Sequence, residues 1–128
     1  MAFTETSKRR ISECDKQLQI LAYELEKLFG NIQVSCGKRG KADQELAYKN
    51  GTSRAHYGQS PHNTDPDSNA IDFVFVNAGK CDWSIKPYLL MIIKAKEIAK
   101  EKGLTLTYGG EFKSLKDYPH IEITNWRK

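Results

Sequence analysis

Apolar residues recur at helical spacing through Cys14, Leu18, Leu21, Leu25, Leu28 and Phe29. With Ser12 as N-cap and Asp15 at the third helical position, this predicts a helix over residues 12–29, ended by Gly30-Asn31. Ile32, Val34 and Cys36 then alternate with Gln33 and Ser35, as in a half-buried strand. Gly37-Lys38-Arg39-Gly40 reads as a turn, and residues 41–49 as a short helix carrying Ala42, Leu46 and Ala47, closed by Asn50-Gly51. Residues 51–69 show no periodicity and are rich in Gly, Ser, Pro, Asn, Asp and His. A stretch of that length without structure inside a compact domain is usually functional. Residues 70–76 form a strongly strand-like run interrupted by Asp72. Trp83-Ser84 opens a long helix with Pro87 in its first turn and Leu90, Ile93, Ala95, Ile98 and Ala99 inside it, stopping at Gly103. Residues 104–108 alternate as a strand, Gly109-Gly110 turns, and residues 120–124 alternate again with His120, Glu122 and Thr124 on one face. The order predicts an α+β domain with a small, mostly antiparallel sheet and packed helices.

At 128 residues the chain is expected to be a single domain, large enough for a real core. Its net charge of +4 favours polyanionic surfaces without choosing among them. Lys8-Arg9-Arg10 lacks the aromatic interleaving of a nucleic-acid contact and reads as a solvated helix start, so no nucleic-acid partner is expected. The three cysteines, Cys14, Cys36 and Cys81, are odd in number and lack metal-ligand spacing. They are expected to be reduced, with Cys14 and Cys36 buried as small hydrophobes. Residues 1–10 contain no apolar run, so no secretory signal peptide is expected. No stretch approaches the ~20 apolar residues of a membrane helix.

Chemistry concentrates in two segments. One is Ser60-Pro61-His62 with Ala70-Ile71-Asp72, and the other is Asp117-Tyr118-Pro119-His120-Ile121-Glu122. A polar-loop histidine is usually a surface residue, and Asp-Tyr-Pro is good turn chemistry. Together, however, an aperiodic loop feeds an acid inside an apolar strand, and a second histidine begins another strand behind a stiffening proline. Two histidines and a carboxylate from separated segments suit a catalytic zinc ion with one position left for water. Asp117, three residues before His120, is a candidate base. Glu122 would face the same side as His120 and accept an imidazole N–H, or simply face solvent. His56 has no acid at a telling spacing and is expected to be structural. Asp65, Asp67 and Asn69 imitate an EF-hand start, but Ala70 and Val76 stand where Gly and Glu are needed.

These motifs resemble the LAS metallopeptidases, which include D-alanyl-D-alanine carboxypeptidases and dipeptidases and the phage L-alanyl-D-glutamate endopeptidases. That family carries Ser-x-His, Ala-x-Asp and a later acid-x-x-His. Gly109-Gly110-Glu111-Phe112 resembles its Gly-Gly-x-aromatic turn, and Gly37-Lys38-Arg39-Gly40 with Gln44 its Gly-x-Arg segment. The likeness spans residues 32–123, with one departure: Asp72 follows His62 by ten residues, a longer interval than is common. The resemblance implies a hedgehog/DD-peptidase-like fold and Zn2+ on His62, Asp72 and His120. It also implies Asp117 as general base and Arg39 near the scissile carbonyl or a substrate carboxylate. It implies a monomeric phage endolysin that cleaves the stem peptide of bacterial peptidoglycan, held in the host cytoplasm until lysis and not inserted in the membrane. Alternatives are a D-alanyl-D-alanine carboxypeptidase and a non-catalytic zinc-stabilised binding domain.

Overall fold

The structure, a computed structural model, describes residues 2–113 and 116–127. Helices α1 (Glu5–Ser12) and α2 (Lys16–Leu28) lead into strand β1 (Ile32–Cys36) and helix α3 (Lys41–Lys49). A 3-10 turn (Pro61–Asn63) precedes β2 (Ala70–Asn77), β3 (Lys80–Asp82) and the long helix α4 (Ile85–Lys102). β4 (Leu106–Tyr108), a second 3-10 turn (Gly109–Glu111) and β5 (His120–Ile123) complete the chain. The sheet is antiparallel, ordered β1-β2-β5-β4, with β3 hairpinned onto β2. The α+β expectation therefore holds.

Alternation along β2 divides the sheet into two working faces. Ile71, Phe73 and Phe75 are at most 1% exposed and belong to the hydrophobic cluster built by Leu18, Leu21 and Leu25 of α2 and Met91 and Ala95 of α4. Asp72 points the other way. The cross-strand register sets it opposite Cys36 of β1 and His120 of β5. A bulge between Val34 and Cys36 inserts Ser35 into β1 and shifts the phase by one residue. Without it, Cys36 would follow Ile32 and Val34 into the core. Instead Cys36 is half-buried on the Asp72 face, which corrects its expected place as a core hydrophobe.

The N-terminal half also differs from the expected single helix. Asp15, not Ser12, is the effective cap: its carboxylate accepts from Gln17 N. The helix is interrupted at residues 13–15, and α1 forms ahead of the break, capped by Thr4. Residues 8–10 lie inside α1, where Arg10 donates to Val34 O. The break is held by Ser68, whose backbone exchanges hydrogen bonds with Glu13 and Asp15, pinning the distal end of the aperiodic loop. The unforeseen β2–β3 hairpin turns through Ala78 and Gly79, both at positive φ, as a two-residue primed turn requires. Buried Tyr88 locks it by donating to Asp82 O and accepting from Phe75 N. Of the apolar residues in α4, Leu89, Leu90 and Ile93 lie about half exposed, while Tyr88, Met91, Ile92 and Ala95 face inward.

Cys14 is fully buried, and burial, followed by the charge of Cys36, pushes its thiol up to about 12. An unfolded thiol ionises near 8.5. The folded state therefore holds its proton longer, and this contribution to stability is present below about pH 8.5 and lost as pH rises toward about 12. Denaturant unfolding should show stability falling across that window, less steeply in Cys14→Ala. At pH 8 iodoacetamide should alkylate exposed Cys81 in the native protein and spare Cys14, read by mass spectrometry.

Candidate metal centre and the groove beside it

His62 is delivered by a capped turn. Ser60 Oγ accepts from His62 N, and Asn63 Oδ1 accepts from Ser60 N, closing a capping box with Pro61 at the first helical position. Arg39 N donates to His62 O, so the turn is bonded to the segment after β1. This is the physical content of Ser-Pro-His: an oxygen cap, a stiff start and an imidazole. Lys38 ties the following loop down through Asp65 and Pro66 O.

Asp72, His62 and His120 converge although they are far apart in sequence. Nδ1 of His62 lies 2.7 Å from Gly37 O. A carbonyl only accepts, so Nδ1 carries a hydrogen, and in the neutral ring Nε2 presents its lone pair. That Nε2 is buried, makes no hydrogen bond, and lies 3.4 Å from Asp72 Oδ2. His120 has Nδ1 2.9 Å from Asp72 Oδ1 and Nε2 2.7 Å from Glu122 Oε1. Glu122 is thus an acceptor fixing the far side of the imidazole, the first of its two expected roles. The two rings meet edge to face with centroids 5.2 Å apart, and Phe112 lies 5.9 Å from the His120 ring.

Acceptors confront acceptors across this cluster, so it demands positive charge. Burial alone would lower the pKa of His62, but Asp72 outweighs it and pushes it up to about 10. Burial opposes protonation of His120 too, yet hydrogen bonds to Asp72 and Glu122 raise it to about 9. Burial would raise Asp72; the two histidines reverse that and hold it well below the usual carboxylate range. Two carboxylates thus ask for two positive charges, which two protons or one divalent cation can supply. Among the described residues, two overlapping groups of potential ligand atoms, each within 4.8 Å, share Asp72: one adds Cys36 and His62, the other Asp117 and His120.

Asp117 is exposed at the rim, its carboxyl raised first by partial burial and then by the charge of Asp72. Its segment is set by two glycines. A Cβ on Gly109 would fall 2.1 Å from Asp117 O and 2.9 Å from His120 Cβ, and one on Gly110 would fall 2.6 Å from Ile92 Cδ1. Arg39 reaches the cluster with Nη2 3.9 Å from Asp72 Oδ2, while Nη1 donates to Gln44 Oε1 at 3.0 Å. His56 lies apart, 3.0 Å from Glu45 with its ring tilted against that of Tyr48; the acid it lacked by spacing comes from the preceding helix.

Sequence reasoning missed the place of Cys36 at the site, and reached Gln44 only through its likeness to the Gly-x-Arg segment. Cys36 has Sγ 3.8 Å from His62 Nδ1 and 3.5 Å from Arg39 Nη2. Burial raises its thiol, but contact with His62 outweighs this, and the net shift is downward. Gln44 is fully buried and satisfied: Oε1 accepts from Arg39 and Asn63, and Nε2 donates to Ser53 Oγ and Ala55 O. An isolated glutamine in a helical pattern signals neither its burial nor its partners. The cluster floors a pocket of about 290 Å³ that opens beside a groove of about 640 Å³, bounded by Gln59, Trp126 and Arg127.

The model of the phage L-alanyl-D-glutamate peptidase family matches residues 1–126. The chain belongs to this family. Among solved structures it is similar to the crystal structure of the Serratia marcescens L-Ala D-Glu endopeptidase ChiX. The TM-score is 0.82 at 28% identity, over 97% of this chain and 90% of that one. No curated protein matched by sequence. The chain is accordingly a hydrolase of peptidoglycan, and the cluster on Asp72 is compatible with a metal ion. Among its described residues no helix is long and apolar enough to cross a membrane.

The glycine geometry gives a direct test. Gly109→Ala should destabilise the fold by about 1–3 kcal/mol and displace the Asp117–His120 segment, lowering peptidoglycan cleavage at least about tenfold. Gly40→Ala, where a Cβ meets nothing within 4 Å, should be tolerated in both thermal unfolding and cleavage assays.

Proposed function

We propose that the enzyme holds one zinc ion on His62 Nε2, Asp72 and His120 Nδ1 and cuts the L-alanyl–D-glutamate bond of the peptidoglycan stem peptide. The observation that carries this is the buried Nε2 of His62, which makes no hydrogen bond and faces a carboxylate oxygen 3.4 Å away. Two imidazoles and one carboxylate are a catalytic zinc donor set. Both outer ring nitrogens are fixed by acceptors, Gly37 O and Glu122, which orient the inner lone pairs. When bound, the ion supplies Lewis-acid polarisation and lowers the pKa of water toward ~7.

The remaining work falls to the chain's own side chains. Asp117, at the rim beside Asp72 and His120, takes a proton from the attacking water and returns one to the leaving amine. Arg39, held by Gln44 and lining the inner pocket, stabilises charge developing on the scissile carbonyl oxygen. Phe112 covers one side of His120 and shields the centre from water. The enzyme acts as a single-domain monomer, resident in the host cytoplasm until lysis brings it to the wall. Membership of a peptidase family favours turnover over a zinc-stabilised binding domain, and the endopeptidase over the carboxypeptidase reading.

A second reading has its own support: Asp117 offers an oxygen within 4.8 Å of the ligand atoms of Asp72 and His120, so it could bind the ion itself. The two readings separate by elemental analysis. Asp117→Ala should keep one zinc per chain and lose on the order of 10²–10⁴ in turnover. His120→Ala should lose zinc affinity and activity together. Equal zinc loss in both variants would make Asp117 a ligand. Muropeptide mass spectrometry should show new N-terminal D-glutamate in wild-type digests, abolished by chelator and restored by zinc.

A further inference from the structure

The inner pocket and the outer groove share part of their lining, including Arg54, Asp117 and His120. Three arginines are graded along this path. Arg39 lines only the pocket, Arg127 only the groove, and Arg54 both. Their engagements differ. Arg39 is committed to Gln44, Cys36 and Asp72. Arg127 donates to Gln59 O and lies over the Trp126 ring. Arg54 is exposed and makes no hydrogen bond or ion pair among the described residues, although Asp117 and Glu122 line the same groove.

The backbone that carries Arg54 is not loose. Its neighbours on both sides, Ser53 and Ala55, accept from the buried amide of Gln44 at 3.0 and 2.7 Å. Ala55 N donates to Ser53 Oγ, and Ser53 N donates to Ala47 O. A fully buried glutamine therefore clamps two residues around a guanidinium that has no internal partner. A fixed backbone with an unspent cation at the junction of two cavities is the arrangement of a ligand-reading group.

The bond in question decides what that ligand is. In an L-alanyl–D-glutamate bond the glutamate supplies the amine, so both of its carboxyl groups lie beyond the scissile nitrogen. One continues the peptide and the other remains free. By bond geometry that free carboxylate stands within about 2.5 to 5 Å of the scissile nitrogen. The cation that reads it must sit next to the reacting centre without being consumed by it, and Arg54 is so placed.

We propose that Arg54 is the specificity-determining residue of this enzyme: it binds the free carboxylate of the substrate's D-glutamyl residue. This rests on the reading of the site as an L-alanyl–D-glutamate endopeptidase. Arg39 keeps the scissile carbonyl, and Arg127 borders the substrate further out.

The test uses two N-acylated L-alanyl-D-glutamyl-lysine peptides that differ at one group. In one the non-linking glutamyl carboxyl is free; in the other it is a carboxamide. A hydrogen-bonded charge pair lost at that position costs about 10- to 100-fold. Wild-type kcat/KM should favour the carboxylate peptide by that factor. Arg54→Gln should lose it on the carboxylate peptide, mainly through KM, and far less on the amide, so the preference collapses toward one. Arg54→Lys should restore part of it. Zinc content and Tm should match wild type, since Arg54 is exposed. Equal cleavage of both peptides by wild type, or a preference that survives in Arg54→Gln, overturns the assignment. Loss of preference in Arg127→Gln with Arg54→Gln unaffected moves the role to Arg127 and overturns it too. Wild type that digests peptidoglycan at another bond and cleaves neither peptide overturns the endopeptidase reading itself, a result distinct from the others.

Discussion

A single carboxylate in the middle of the sheet sets the conditions for everything around it. Asp72 sits on β2 between Ile71 and Phe73, both fully buried, so its charge cannot be relieved by solvent from the core side. Burying an unpaired carboxylate costs far more than a hydrogen bond returns. The fold answers with partners from three directions: His62 from a capped turn, His120 directly across the antiparallel register, and Arg39 from the segment after β1. Each partner is fixed in turn by a further group: His62 by Gly37 O, His120 by Glu122 and Arg39 by Gln44. The same charge that burdens folding makes the site attractive to a divalent cation.

Register carries this arrangement more than loop shape does. Once β2 and β5 pair with Asp72 facing His120, a slip of one residue would send both side chains into the hydrophobic layer. The core on the other face forbids the slip, because Ile71 and Ile121 are themselves cross-strand partners and both fully buried. The chemistry is therefore aligned by hydrophobic burial on the opposite side of the strands.

Much of this was legible in the chain. The helix at Lys41–Lys49, the long helix from Ser84 to Gly103 and the strand beginning at Ala70 follow from periodicity and caps, because local chemistry there agrees with tertiary packing. The residues that meet at Asp72 were recognisable as motif spacing, although nothing in their spacing gives a distance. What escaped was nonlocal or depended on a single residue. The insertion of Ser35 turned Cys36 from core to site, and no pattern of period two announces a bulge. The helix break at residues 13–15 is enforced by Ser68, more than fifty positions away. Gln44, the hub that ties Arg39 to the loop around Arg54, was marked by its likeness to the Gly-x-Arg segment, but its helical spacing announces neither its burial nor its partners.

The division of β2 into an apolar face and a reactive face has a consequence for evolvability. The core layer is formed by odd-numbered residues of β2 and the inner sides of α2 and α4, whereas the walls of the groove come from the segments around residues 53–61 and 125–127. Those walls contribute little to the apolar cluster. Changes that retune which wall peptide is accepted can therefore accumulate there while leaving the hydrophobic core intact, and a lytic enzyme facing a new host cell wall can drift in preference without first acquiring extra stability.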